Sequence, residues 1–168
     1  MELASRERLQ PSLLDRLTDH ATDRTRETSD QQTLNLTQLR QAVLRDLAWL
    51  LNTTNLAATE DLTDWPLAAR STINYGIPGF AGLVGTAQKM VSLEAAIADA
   101  IRAFEPRIKP ESLKVRLRAP DAGQPTAAIV FEIQGELWAQ PVPQQLFLET
   151  AIELETRMAV VTDAKARG

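Results

Sequence analysis

At Pro106 the spacing of apolar residues changes period, and this constrains the fold more than any other feature of the chain. Before it, Leu39, Val43, Leu47 and Leu50 recur every three or four positions, with Ala42, Ala48 and Leu51 widening the stripe. Leu93, Ile97, Ile101 and Phe104 repeat the pattern, helped by Ala96 and Ala100. Each series puts one apolar face on a helix. The spacing predicts a helix from Thr37 to Asn52, and a second capped by Ser92 with Glu94 near its positive end. Pro106 disfavours helical geometry at Glu105 and ends the second helix there.

After Pro106 the period is two. Leu113, Val115 and Leu117 alternate with Lys114, Arg116 and Arg118, as in a half-buried strand. The turn cluster Pro120-Asp121-Ala122-Gly123-Gln124-Pro125 leads to a second strand with Ile129, Phe131 and Ile133 inward, reaching towards Leu137. Pro141 and Pro143 break the chain again. A third strand carries Leu146, Leu148, Ile152 and Leu154 on one face, with Glu149, Glu153 and Glu155 on the other. Helices followed by connected strands make an α+β fold, N-terminal helices packed on a small, largely antiparallel C-terminal β-sheet.

The 168 residues suit one domain, expected over 37–161, with a 1–36 arm and a 162–168 tail. In the arm, Ser12 is placed to cap a short turn through Leu13, Leu14 and Leu17, ahead of a polar stretch from Thr18 to Thr33. That turn is expected to fold back on the domain. Trp49 and Trp65 are expected in or beside the core, and Tyr75 with its ring buried and its hydroxyl bonded locally. The path from Arg70 to Phe80 is restrained by Gly76, Pro78 and Gly79, the glycines permitting positive φ.

Chemistry is sparse. The absence of cysteine excludes disulfides, thiol catalysis and thiolate metal sites. The single histidine, His20, leaves no histidine cluster for a metal or a catalytic triad. No cofactor is implied. A net charge of -4 argues against a nucleic-acid partner, and no apolar run is long enough for direct membrane insertion. These features point to a cytoplasmic protein held by other proteins.

Four segments in order carry a resemblance: Ser12-Leu13-Leu14-Asp15-Arg16-Leu17, Arg45-Asp46-Leu47-Ala48-Trp49-Leu50-Leu51-Asn52-Thr53, Arg70-Ser71-Thr72-Ile73-Asn74-Tyr75-Gly76-Ile77-Pro78 and Phe104-Glu105-Pro106-Arg107-Ile108. Together they resemble the TssE family of type VI secretion baseplate subunits, whose phage relatives are tail baseplate wedge proteins once described as lysozyme-like. The chain departs from the family after Pro78, where Gly79-Phe80 stands in place of the usual acidic residue. The resemblance implies a non-enzymatic part of a contractile injection machine, in a cytoplasmic baseplate docked at the inner membrane. It implies wedge partners of TssF and TssG type and sheath subunits of TssB and TssC type, with a TssK-type adaptor as a further candidate.

Two contact regions follow. Glu105, Pro106 and Arg107 form a stiff corner expected to turn opposite charges outward to a wedge protein, by resemblance to the family's Glu-Pro-Arg triplet. Alternatively, Glu105 and Arg107 satisfy each other and pin the corner. The second region is a sheet edge, where the resemblance implies that a sheath strand could extend the ladder; alternatively Glu149, Glu153 and Glu155 merely protect that edge. The last strand, with Leu146, Leu148, Ile152 and Leu154, or its continuation through Met158, Val160 and Val161, is the expected edge. Two other functions remain open: a peptidoglycan-cleaving hydrolase with Glu105 as acid and Asp46 or Asp64 as its partner, and an unrelated cytoplasmic protein-binding adaptor. Against the hydrolase, Arg107 favours the carboxylate of Glu105 over the acid form.

Overall fold

The computed structural model describes residues 12–17, 36–79, 87–118, 128–138, 144–153 and 158–163. Among these residues four α-helices, α1 (Leu13–Leu17), α2 (Leu36–Leu51), α3 (Pro66–Ala69) and α4 (Ala87–Phe104), precede four strands, β1 (Lys114–Arg118), β2 (Ala128–Leu137), β3 (Gln144–Glu153) and β4 (Ala159–Asp163). The strands pair antiparallel in the order β1-β2-β3-β4, so the fold is α+β as its periodicities require.

Period decides what is buried. The helical stripes place Val43, Leu47, Ile97 and Ile101 fully inside, against Phe131, Ile133, Leu146, Leu148 and Ile152 from one face of the sheet. Each such side chain withdrawn from water stabilises the fold by about 1.5–3 kcal/mol. Helix α2 lies beside β4 and α4 beside β1, so the helices border the sheet as well as packing against it.

The irregular stretch between α2 and α4 is closely specified. Ile77 donates its N–H to the Thr53 carbonyl at 2.9 Å, and its own carbonyl accepts from Asn55 N–H at 3.0 Å. Gly76 brings the chain back to this point with φ of 121°, and a Cβ there would lie 2.3 Å from the Thr53 oxygen. Asn74 ties the neighbouring turns together, accepting from Ala57 N–H and donating to the Ala69 carbonyl, both at 2.9 Å.

Several expectations need correction. Helix α4 begins at Ala87, so Ser92 lies inside it and caps nothing. A serine suits either place, and only the wider context separates them. Glu94 is therefore away from the helix start; its carboxylate accepts the Leu117 N–H of β1 instead. Of the described glycines, Gly76 alone has positive φ. Trp49 is 51% exposed because it falls outside the buried stripe of α2, and Trp65, which precedes the short α3, is 67% exposed.

The segment expected to continue the third strand is a separate strand, β4, folded back against β3 with Ala159 opposite Ile152. It runs to Asp163. The polar stretch after α1, the 120–125 turn cluster, Phe80, Pro141, Pro143, Leu154 and Glu155 lie outside the described residues.

Replacing Gly76 with alanine combines an unfavourable φ with a backbone clash. It is expected to lower unfolding stability by about 3 kcal/mol or more, read from urea denaturation midpoints.

Candidate functional site

Helix α4 ends where Pro106 requires, and Glu105 N–H makes the closing bond to the Ile101 carbonyl at 2.9 Å. The chain then turns onto β2. The Arg107 carbonyl accepts Trp138 N–H at 2.7 Å, Lys109 N–H donates to the Glu136 carbonyl at 2.9 Å, and Ile108 pairs with Leu137. Ser112 Oγ accepts Glu136 N–H at 2.8 Å. Glu105 and Arg107 thus stand on a corner sewn to the end of a central strand.

Their side chains meet each other. Glu105 Oε1 accepts from Arg107 Nε at 2.7 Å and from the Arg107 backbone N–H at 3.1 Å, while Oε2 takes a hydrogen from Nη2. The same Nη2 reaches Oδ2 of Asp46 on α2. Only 3% of Glu105 is exposed and 20% of the Arg107 side chain, so the expected outward display of both charges does not occur. A carboxylate beside a guanidinium is better satisfied by a fork of two hydrogen bonds than by water, and Pro106 sets the spacing that permits it.

The network continues. Asp46 Oδ1 accepts from Arg45 Nε at 2.8 Å, and Arg45 Nη1 donates to Asp15 of α1 at 2.7 Å. Ser12 caps α1 through the Asp15 N–H and donates its hydroxyl to the Asp15 carboxylate at 2.7 Å. Five charges therefore alternate in a line, Asp15, Arg45, Asp46, Arg107 and Glu105, joining the arm, α2 and the end of α4. Helix α1 is held to α2 through this Asp15–Arg45 pair, although Leu13, Leu14 and Leu17 remain exposed. Trp49 lies under the Arg45 guanidinium, 5.0 Å from ring centroid to Cζ.

Between these elements is a cleft of about 200 Å³, lined by Leu14, Trp49, Tyr75, Phe104, Asp46, Glu105 and Arg107 among others. The Tyr75 ring meets Phe104 edge-on at 5.2 Å. Among the described residues the Tyr75 hydroxyl has no hydrogen-bond partner, contrary to expectation. Its pKa is raised, first by burial and then by the charges of Asp46 and Glu105. Burial opposes the charge of Arg107, but its bonds to Glu105 and Asp46 outweigh this and raise its pKa. Arg107 Nη1 is buried without an acceptor among the described residues.

Of the predicted contact residues, the structure brings Glu105 and Arg107 together at this cleft and leaves Pro106 exposed beside it. It does not unite them with Leu146, Leu148 and Ile152, which are in the core. Nor is β3 an edge, since β2 and β4 pair with it on both sides. A strand flanked by two neighbours has its ladder groups used on each side, and among the described residues β1 and β4 border the sheet. Asp46, which sequence reasoning named only as a speculative catalytic partner, is a full member of the cluster. Its position beside the Leu47 stripe, within the Arg45–Thr53 motif, was the available signal. Asp64 takes no part. Among the described residues no group of acidic or histidine side chains could hold a metal.

The family model of baseplate wedge protein gp25 matches residues 37–142. The chain belongs to the baseplate wedge protein gp25 family. Among curated proteins there is no match. A crystal structure from Geobacter sulfurreducens, provisionally named a tail lysozyme, is similar at 14% identity; the likeness covers 73% of this chain and 99% of that one, with a TM-score of 0.46. The match to the gp25 family takes in α2, α4, the corner, β1 and β2, so the cleft's charged members Asp46, Glu105 and Arg107 all lie within it. In this gp25-family chain α1, β3 and β4 stand outside the matched residues.

Docking of α1 is expected to depend on pH. Burial works upward on Asp15, but hydrogen bonds from Ser12 and Arg45 bring its pKa below the ordinary 3.8. The contribution is complete above 3.8 and is lost as pH falls through the lower docked-state value. Leu14 methyl resonances should move to free-chain positions on that descent, and Asp15→Asn should move them already at neutral pH.

Proposed function

We propose that this gp25-family chain is a structural baseplate component of a type VI secretion, or similar contractile injection, machine. In this reading it works in the cytoplasm, within a baseplate docked at the inner membrane. Its partners would be wedge proteins of TssF and TssG type and sheath subunits of TssB and TssC type, with a TssK-type adaptor as a further candidate.

The observation that carries the wedge contact is Arg107, which lines a partly apolar cleft and whose Nη1 is buried without an acceptor among the described residues, so that a partner must draw the side chain outward to bond it. A buried guanidinium donor without an acceptor is costly, and a partner supplying a carbonyl or carboxylate would relieve it. Leu14 and Trp49 beside it offer apolar area for the same partner. Glu105 acts here by holding Arg107 rather than by touching the partner. The second contact moves from β3 to the β4 edge, where a sheath strand could extend the ladder.

The geometry opposes the hydrolase alternative. Two catalytic carboxylates must face a sugar bond lying between them. The space between Asp46 and Glu105 is filled by Arg107 Nη2, bonded to both. Purified protein is expected to release no fragments from peptidoglycan.

The test of the wedge contact must separate assembly from folding. Removing one member of a buried pair costs about 3–5 kcal/mol, so Arg107→Ala is expected to lower stability by that order. Arg107→Lys keeps a cation for Glu105 but loses the planar fork. It should stay folded by circular dichroism and urea titration and lose wedge proteins in co-purification from native cells. A folded Arg107→Lys protein that co-purifies with wedge proteins as well as the unaltered chain would overturn the contact.

A further inference from the structure

Among the described residues the sheet has two borders, and on each a side chain from a helix or from the residue just after one bonds outward backbone groups. On β1 the occupant is Glu94 of α4, which accepts the Leu117 N–H. On β4 it is Asn52, the residue that follows α2. Asn52 Oδ1 accepts the Ala159 N–H at 2.8 Å, and Nδ2 donates to the Ala159 carbonyl at 2.9 Å. The other Nδ2 hydrogen reaches the Ala48 carbonyl at 2.7 Å, which fixes the plane of the amide.

A primary amide offers one donor and one acceptor side by side, as a residue of a neighbouring strand does. Asn52 therefore imitates one residue of a fifth strand. Because Ala159 turns both backbone groups towards Asn52, it stands opposite Ile152 at a position that makes no bonds to β3. Alternation with period two turns Val161, opposite Thr150, the same way. Among the described residues no side chain hydrogen-bonds the Val161 backbone. At the far end Arg40 of α2 grips the Asp163 carboxylate and reaches the Gln145 carbonyl at 3.4 Å. Arg40 of α2 and Asn52 just after it thus pin the two ends of β4, and the Val161 backbone between them takes no side-chain bond among the described residues.

We propose that Asn52 is an internal competitor for the β4 edge, so that an incoming sheath strand extends the sheet only by displacing its amide from Ala159. The proposal rests on the strand-pairing reading above and adds its regulation. The exchange replaces two hydrogen bonds at Ala159 with two of the same kind, and the pairing at Val161 supplies the gain. In the free chain the same amide guards the edge against indiscriminate pairing, which exposed strand borders otherwise invite.

The test titrates sheath subunits, purified from the same bacterium, against the full chain. Asn52→Ala should bind them about tenfold more tightly, the worth of one or two net hydrogen bonds. In the unaltered chain the Asn52 side-chain amide protons should be protected from exchange and lose that protection on sheath binding; this arm does not depend on a variant that folds. Val161→Pro removes an outward N–H while sparing the β3–β4 ladder, which proline tolerates at a sheet edge, and should abolish binding in a folded protein. If Val161→Pro abolishes binding but Asn52→Ala leaves affinity unchanged, or the Asn52 amide stays protected in the complex, the competitor role is overturned and the edge reading stands. If folded Val161→Pro binds sheath like the unaltered chain, the edge reading itself fails. Should Asn52→Ala self-associate in sedimentation without binding sheath, the occupant is a second copy, and the sheath proposal falls.

Discussion

A carboxylate with 3% of its surface exposed needs donors placed against it, and for Glu105 they come from Arg107. The remaining architecture of the cleft hangs on this pair. Arg107 cannot face Glu105 without the turn that Pro106 imposes, and the turn in turn delivers the chain to the end of β2. Asp46 joins from α2, Arg45 from one residue earlier, and Asp15 from the arm. Alternation of sign along this line lets three elements distant in sequence approach without leaving like charges adjacent. Among the described residues it leaves two buried donors, Arg45 Nη2 and Arg107 Nη1, without a hydrogen-bond acceptor, and Arg107 is the one that lines the cleft.

The sheet is governed by a different constraint, the treatment of its borders. Four strands have two edges whatever their order, and each edge carries backbone groups that must be satisfied or guarded. Here both are attended by the helices that also supply the core. Helix α2 gives Leu47 to the interior, Asp46 to the charged line, and, through Arg40 and Asn52 at its ends, two pins to β4. One helix therefore joins the corner and the edge through rigid structure rather than through a loop.

Much of this could be read from residue order. The change of period at Pro106 separated helices from strands, and the stripes named nearly every core residue of α2 and α4. Local signals did less well. Ser92 looked like a cap because serine serves equally at a cap or on an exposed helical face. Trp49 and Trp65 looked like core because aromatic size suggests burial, yet a side chain off the stripe has nothing to pack under; Trp49 instead supports a guanidinium. Gly76 and Gly79 looked alike, and only the approach of Thr53 separates them.

Alternation of apolar residues states which face of a strand is buried, because side-chain direction repeats every two residues along one chain. It is silent on which strand has an unpaired side, because pairing is between chains of backbone that alternate identically in every strand. So the apolar faces of β1, β2 and β3 were settled by sequence, whereas the interior place of β3 and the border place of β4 were settled only by tertiary pairing. The same division holds at the corner. Proline and the two charges made a stiff turn inevitable, but whether those charges met water or each other depended on Asp46, brought within reach from 61 positions away.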